Sequence, residues 1–246
     1  MGQFKTFLFE IGGKITKNKI VRSILWPFYH PYLVYLEKKR NKLFLKYGLE
    51  LLSHFDKILT EEGYEYTLIF GTLLGAVREK GFLKHDLDID VAMWHDSYSI
   101  DLKNLLEKNG FKLDHEFLVN GGKDGLEQTY EYKGVTIDIF FFYPPINEYP
   151  YCCDFGPLPG STTWDGSMKK FGYVLPRRLE LPLKKSFIRV PFESLNLLIP
   201  ANYDEILSFR YGKDYMIPNT KWSMYSENPH VIKWIDNLGT YIKSNR

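Results

Sequence analysis

Acidic side chains recur at every second position in the segment Asp86-Leu-Asp-Ile-Asp-Val91. On a strand, alternate residues share a face, so Asp86, Asp88 and Asp90 would point one way while the apolar residues between them enter the core. Two like charges about 4 Å apart repel by roughly 1 kcal/mol in water and by several at a protein surface. Such a row of carboxylates normally has a cation to hold, and its oxygen atoms suit Mg²⁺ or Mn²⁺.

A further acid, Asp138, stands alone in the apolar and β-branched segment Thr136-Ile-Asp-Ile-Phe140. An ionised group that is buried without a partner is costly. Asp138 either shares a metal ion with Asp88 and Asp90 on a neighbouring strand, or it ends a strand and pairs with a lysine. The upstream acidic row favours the shared metal ion.

A glycine turn precedes the acids. Gly71-Thr72 follows a predicted strand and opens a predicted short helix, where backbone N–H groups can bind a phosphate. Arg78, Lys80 and Lys84 lie between this turn and the acids, and they can neutralise further phosphate oxygens. Arg78 is favoured because its guanidinium binds phosphate through two parallel hydrogen bonds, whereas the two lysines fit a surface role equally well.

A stretch of twenty contiguous residues carries a family resemblance: Gly71-Thr-Leu-Leu-Gly-Ala-Val-Arg-Glu-Lys-Gly-Phe-Leu-Lys-His-Asp-Leu-Asp-Ile-Asp90. It resembles the signature of the LicD family, relatives of fukutin and fukutin-related protein in the nucleotidyltransferase superfamily. Residues 190–193, 199–207 and 211–218 are similar to the closing segments of that family. The resemblance covers about residues 45 to 220.

The resemblance implies transfer of a phosphorylated alcohol, such as phosphocholine or an alditol phosphate, from a CDP-activated donor to a hydroxyl of a glycan or glycolipid. CMP would be released, and Mg²⁺ or Mn²⁺ would be essential. Asp88, Asp90 and Asp138 would be the catalytic metal ligands, and Asp86 would support them or share a metal ion. The expected substrate-binding residues surround the glycine turn and the start of the acidic row: Gly71, Thr72, Arg78, Lys84 and His85.

Two other functions fit parts of the sequence. A nucleotidyltransferase would add NMP from an NTP to a small acceptor and release pyrophosphate, so product identity separates it from a phosphotransferase. A non-catalytic protein that binds glycans or a membrane surface would use the N-terminus and would not need the acids. A nucleic-acid partner is not expected, because the net charge is +2 overall and −6 over residues 47–246.

The N-terminal residues 1–46 form a basic, aromatic arm. They hold eight lysines and two arginines against two glutamates, which fits either an anionic membrane surface or a helix docked on the core. We predict that residues 47–246 are the catalytic domain. The pattern shows neither a signal peptide nor a spanning helix, and the adjacent Cys152 and Cys153 suit no disulfide framework. We therefore expect a cytoplasmic location, with peripheral contact at the inner face of the membrane as an option.

The predicted fold is a single α/β (α+β) domain with a small mixed sheet and flanking helices, like that of nucleotidyltransferases. Residue periodicity predicts helices over about 33–62, 72–78, 99–109 and 202–211, and strands over 66–70, 87–93, 126–132 and 135–142. Residues 143–182 hold seven prolines, which predicts a long loop or lid without regular structure. Its candidate acceptor-binding aromatic residues, for which ordinary packing is the alternative, are Tyr151, Phe155, Trp164 and Phe171.

Overall fold

The computed structural model describes residues 19–84, 86–219, 230–233 and 238–244. Residues 1–18 of the predicted basic arm therefore lie outside the described residues. The elements, in chain order, are α1 (Lys19–Glu61), β1 (Thr67–Leu68), α2 (Phe70–Arg78), β2 (Asp88–Trp94), α3 (Ile100–Lys108), β3 (Lys112–Val119), β4 (Gly125–Tyr132), β5 (Val135–Phe142), β6 (Tyr151–Gly156), α4 (Trp164–Phe171), β7 (Leu175–Glu180), β8 (Phe187–Phe192), β9 (Leu195–Pro200), α5 (Tyr203–Tyr211), β10 (Val231–Lys233) and β11 (Gly239–Lys243).

A mixed sheet with the order β1-β2-β5-β4-β3-β11 organises the fold, which confirms the predicted α/β class. Within it β2 and β5 are parallel, and the other neighbouring strands are antiparallel. The turn between β4 and β5 uses Lys133 and Gly134, both at positive φ, as a tight hairpin requires. Two smaller sheets, β10-β7-β6 and β8-β9, complete the structure of the described residues.

Alternation along β2 and β5 separates a buried apolar face from a polar one. Ile89 and Val91 are fully buried, as are Ile137 and Ile139 beside them. The residues between these on each strand are only partly buried. The core therefore fixes the register of the two strands, because a slip by one residue would bury the acids and expose the isoleucines.

Helix α1 is longer than predicted, since it begins at Lys19 and passes through Pro27 and Pro31. A proline removes one intrahelical hydrogen bond, but the surrounding bonds continue the helix. The predicted end is confirmed: Gly63 has a φ of 74° and caps the helix. The helix also crosses residue 46 without a break, and Phe44 is already in the core.

The segment over residues 143–182 corrects the prediction of a loop, because it contains β6, α4 and β7. Its prolines and glycines lie mostly between these short elements and mark their ends rather than excluding them. Thr163 caps α4 by accepting a hydrogen bond from the backbone N–H of Gly166, and Gly172 ends the helix with a φ of 82°. Threonine before a helix and glycine after it are residue types that commonly cap helices.

Among the described residues, no helix has an apolar stretch long enough to cross a bilayer. Cys152 and Cys153 are buried free thiols.

Gly75 lets α2 pack closely on the segment that follows it. A Cβ atom at this position would lie 2.5 Å from the backbone oxygen of Gly81 and 3.3 Å from the backbone nitrogen of Leu83. We expect Gly75→Ala to lower the free energy of unfolding by about 2–3 kcal/mol, because backbone atoms must move to admit the methyl group. Denaturant unfolding measures this change.

The matched control is Gly48→Ala in α1, where the added Cβ would meet only side-chain atoms at 3.5 Å or more. This variant should be neutral or more stable by about 0.5–1 kcal/mol, because alanine favours a helix. Equal destabilisation of both variants would contradict the role of close packing at Gly75.

Candidate active site

A row of polar residues crosses the central sheet at one level. Asp90 of β2 pairs in register with Asp138 of β5. Asp138 pairs with Thr129 of β4, and Thr129 pairs with His115 of β3. Paired residues on neighbouring strands project from the same face, about 4.8 Å apart. The sheet therefore brings together two acids that are 48 positions apart in the chain, and places Asp88 two residues before Asp90 on the same face.

Asp90 interacts with four charged groups of the site, three of them acidic and one basic. Burial raises the pKa of Asp90 well above its ordinary value, and repulsion from Asp88, Asp138 and Asp86, in that order, raises it further. The guanidinium of Arg210 acts in the opposite direction. Asp90 therefore interacts with each of the other three predicted metal-binding acids.

Asp138 and Asp88 differ in their surroundings. Burial and the charge of Asp88 raise the pKa of Asp138 to about 6, although the Thr129 hydroxyl and the charge of His115 oppose this rise. The side chain of Asp88 is 46% exposed and lies 3.9 Å from a guanidinium nitrogen of Arg40 in α1. Burial raises the pKa of Asp88, and Arg40 opposes the change.

Asp86 precedes β2 rather than lying on it, which corrects the prediction that three acids share one strand face. Its Oδ2 accepts a hydrogen bond of 2.8 Å from the backbone of Leu83, so it belongs to a turn. The side chain still reaches the site, because its Oδ1 lies 3.8 Å from the position of a Cβ added to Gly71. Such a Cβ would also be 3.6 Å from Oδ2 of Asp90.

The predicted glycine turn begins one residue earlier than expected. β1 ends at Leu68, and α2 begins at Phe70. Phe70 itself makes the turn with a φ of 49°, a conformation that is costly for a residue with a side chain and that concentrates at functional sites. Gly71 therefore lies in the first turn of α2, where backbone N–H groups lack intrahelical acceptors, and it lies close to Asp90 and Asp86.

The other predicted substrate-binding residues take different positions. Thr72 is buried, and its hydroxyl accepts a 2.9 Å hydrogen bond from the backbone of Asp90, so it holds that strand in place. Arg78 ends α2, roughly 10 Å along the helix from Gly71, and it contacts Glu79 and the backbone of Tyr215. Lys84 is exposed, and His85 lies outside the described residues.

Arg210 and Glu127 join the site without having been predicted. The guanidinium of Arg210, at the end of α5, lies 4.5 Å from the centre of the Phe70 ring and is only 8% exposed. Glu127 precedes Thr129 by two residues on β4 and therefore shares its face. It is 8% exposed, and its Oε2 has no hydrogen-bond partner among the described residues. A glutamate and a threonine alternating within β4 were the available signal for Glu127.

Burial in this acidic setting shifts the titration of Glu127. Its pKa is raised well above the ordinary value, first by burial and then by the charges of Asp138, Asp154 and Asp90. Arg177 opposes the rise. The buried carboxyl group of Glu127 is thus a further candidate oxygen ligand beside the row of polar residues.

The predicted acceptor-binding aromatic residues divide into two groups. Tyr151 and Phe155 belong to the core, whereas Trp164 is 36% exposed. Phe171 is partly buried at the end of α4. Trp164 packs against His115 with 5.4 Å between ring centres, which places it near the polar row.

The donor chemistry of the site suits a divalent cation. Asp90 and the three acids that interact with it supply hard oxygen atoms of the kind that Mg²⁺ and Mn²⁺ prefer. So does Oε2 of Glu127, which has no hydrogen-bond partner in the described part of the chain. Within the described residues, no three side chains form a ready-made metal site. Mg²⁺ commonly uses only one or two carboxylates together with water and substrate phosphates, so a preformed cage is not required.

Comparison with known proteins shows which family the sequence matches and which relatives it resembles. Residues 63–202 match the family model described as LicD/FKTN/FKRP, nucleotidyltransferase domain. The chain is 29% identical over 192 residues to Ribitol-5-phosphate transferase FKTN of Mus musculus, which covers 77% of this chain and 37% of that protein. The Homo sapiens protein of the same name is 27% identical over 196 residues, covering 76% of this chain and 37% of that protein.

A bacterial relative matches a shorter region. Lipopolysaccharide cholinephosphotransferase LicD of Haemophilus influenzae is 44% identical over 50 residues, or 20% of this chain and 19% of that protein. The chain thus spans little more than a third of the length of the mouse and human relatives.

Proposed function

Because the chain belongs to the LicD/FKTN/FKRP family, we propose that it is a metal-dependent phosphotransferase. It moves a phosphorylated alcohol from a CDP-activated donor to a hydroxyl of a glycan or glycolipid and releases CMP. The names of its relatives support this reaction type, since they transfer ribitol 5-phosphate or phosphocholine.

The observation that carries the proposal is the register of β2 and β5, which sets Asp90 beside Asp138. Gly71, at the N-terminus of α2, lies against Asp90 and Asp86. Carboxylates for a cation and helix N–H groups for a phosphate thus occupy one place. Transfer of a phosphoryl group depends on this combination of positioning and charge neutralisation.

Each residue of the site has a separate task in this reaction. Asp88, Asp90 and Asp138 would hold Mg²⁺ or Mn²⁺, with Asp86 beside them, and a bound ion supplies neutralising charge at the diphosphate. Asp138 takes the proton of the attacking hydroxyl, since its strand lies directly beside the strand of Asp88 and Asp90. Arg210 adds a buried positive charge that the departing CMP phosphate can meet.

The chemistry forms one P–O bond and breaks another. The acceptor oxygen bonds to the phosphorus that carries the alcohol, and the bond from that phosphorus to the oxygen of the CMP phosphate breaks. The proton of the acceptor hydroxyl moves to the carboxylate of Asp138. The phosphorylated acceptor and CMP are the two products.

The test is product identity. The purified protein is incubated with Mg²⁺, a panel of glycan and glycolipid acceptors, and CDP-choline, CDP-ribitol, CDP-glycerol or CTP, and CMP and pyrophosphate are separated by chromatography. We expect CMP from at least one CDP-alcohol and no pyrophosphate from CTP. Pyrophosphate from CTP would favour the nucleotidyltransferase reaction instead, and no product from any donor would contradict the proposed function.

A further inference from the structure

A chain of three hydrogen bonds leads from Asp138 across the sheet to β3. The Thr129 hydroxyl donates to Oδ1 of Asp138 at 2.6 Å. Nε2 of His115 lies 3.2 Å from the same hydroxyl, and Nδ1 of His115 lies 3.0 Å from Oδ2 of Asp114. Each link joins side chains that are paired across strands or adjacent in the chain, so the sheet itself sets the geometry.

The directions of these bonds follow from what each group can donate. An ionised Asp138 can only accept hydrogen bonds, so the Thr129 hydroxyl donates its single proton to that carboxylate. The hydroxyl oxygen then accepts from an N–H at Nε2 of His115. The other ring nitrogen, Nδ1, lies at hydrogen-bond distance from Asp114. The chain therefore links His115 to Asp138 through the Thr129 hydroxyl.

His115 is buried rather than placed on the surface, and aromatic rings fix its plane. It is 8% exposed. The rings of Phe117, Trp164 and Tyr241 lie with their centres 5.1 to 5.5 Å from the imidazole centre. A histidine held in this way has little rotational freedom, so the position of the Thr129 hydroxyl is fixed as well.

We propose that Thr129 and His115 are positioning residues for Asp138. They hold its Oδ1 in one place, which presents the other oxygen to the divalent cation and to the acceptor hydroxyl. The inference rests on the proposed function, in which Asp138 binds the metal ion and accepts a proton. Hydrogen-bonded partners of metal-binding side chains typically change metal affinity or activity by about 10–100-fold when they are removed.

Two matched pairs of variants test the chain of hydrogen bonds. Thr129→Val keeps the shape of the side chain but removes the hydroxyl, whereas Thr129→Ser keeps the hydroxyl. His115→Phe keeps a ring but removes both N–H groups, whereas His115→Gln keeps an amide N–H that can reach Thr129. The first variant of each pair should lose Mn²⁺ binding or CMP release, and the second variant should retain most of both.

Two readouts distinguish positioning from general damage to the fold. Binding of Mn²⁺ is measured by electron paramagnetic resonance, and CMP release is measured with the donor accepted by the wild-type protein. Thr129→Val should raise the Kd for Mn²⁺ or lower kcat by at least about tenfold, with a smaller change in the KM for the donor. Thr129→Ser should stay within about threefold of the wild type.

The double variant Thr129→Val/His115→Phe provides a further criterion. Once the hydroxyl is absent, His115 is no longer connected to Asp138 by hydrogen bonds, so the double variant should be little worse than Thr129→Val. Thermal unfolding identifies any variant that does not fold, and the serine and glutamine variants then decide the outcome.

Several results would overturn the inference. Wild-type values for Thr129→Val in both readouts, or losses in Thr129→Ser and His115→Gln as large as in their partners, would show that the hydroxyl and N–H groups do not act on Asp138. Wild-type protein that neither binds Mn²⁺ nor releases CMP would remove the proposed function, and this inference with it. An active wild type with unaffected variants would remove the inference alone.

Discussion

Replacing Asp90 by asparagine is expected to lower CMP release by at least about 10³-fold while the protein remains folded. Asparagine is nearly the same size but carries no charge, so the site loses the carboxylate that its neighbours surround. A loss of this size corresponds to about 4 kcal/mol of transition-state stabilisation. The measurement is the initial rate of CMP release at saturating Mg²⁺.

The same variant should unfold at a higher temperature than the wild type in the absence of metal, because it removes a repelled and buried charge. Asp96→Asn is the matched control: Asp96 follows β2, is exposed, and pairs with Lys185 at 2.6 Å. That variant should keep wild-type activity. Retention of most activity in Asp90→Asn, or equal losses in both variants, would contradict the role of Asp90.

Metal-free wild-type protein is expected to become less stable as the pH rises from 5 to 7.5. The pKa of Asp138 is about 6 in the folded state, above the value near 3.8 of an unfolded chain. The folded state therefore binds more protons through this range, and its stability falls until the pH passes the folded pKa. The full shift corresponds to about 3 kcal/mol, of which about 1.4 kcal/mol is lost between pH 5 and 7.5, or roughly 3–6 °C in the unfolding midpoint.

Asp138→Asn isolates this effect. Its unfolding midpoint should be higher than that of the wild type at pH 7.5 and should vary less between pH 5 and 7.5. Adding Mn²⁺ at pH 7.5 should raise the midpoint of the wild type, since a ligand that binds only the folded state stabilises it, and should raise that of Asp138→Asn less. The prediction would be contradicted if the wild-type midpoint did not fall more steeply with pH than the midpoint of Asp138→Asn.

The strands that carry Asp88, Asp90 and Asp138 could be predicted from the sequence, because they depend on local patterns. Alternation between acid and apolar residues placed Asp88 and Asp90 on a strand, and the Lys133-Gly134 turn placed Asp138 on the second strand of a hairpin. Glycine caps gave the ends of α1 and α3. These features involve residues close together in the chain, so they are readable without the fold.

The rest of the site depends on pairing between distant strands and so escaped prediction. His115 and Thr129 look like ordinary strand residues until β3, β4 and β5 are aligned side by side. Arg210 looks like a surface residue at the end of a helix until α5 packs near Phe70. The regular elements within residues 143–182 were missed for a local reason, since frequent prolines obscured the caps of a short helix.

The parallel pairing of β2 with β5 has a consequence for how the protein assembles. Residues 90 and 138 meet only after the whole α3-β3-β4 segment between them has formed or closed as a loop. Contacts between residues so far apart in the chain form slowly, because the chain loses loop-closure entropy before the contacts can stabilise it. A nascent chain that ends before β5 has three of the four acids and lacks Asp138. The pairing of Asp90 with Asp138 is therefore completed late in assembly, when β5 enters the sheet.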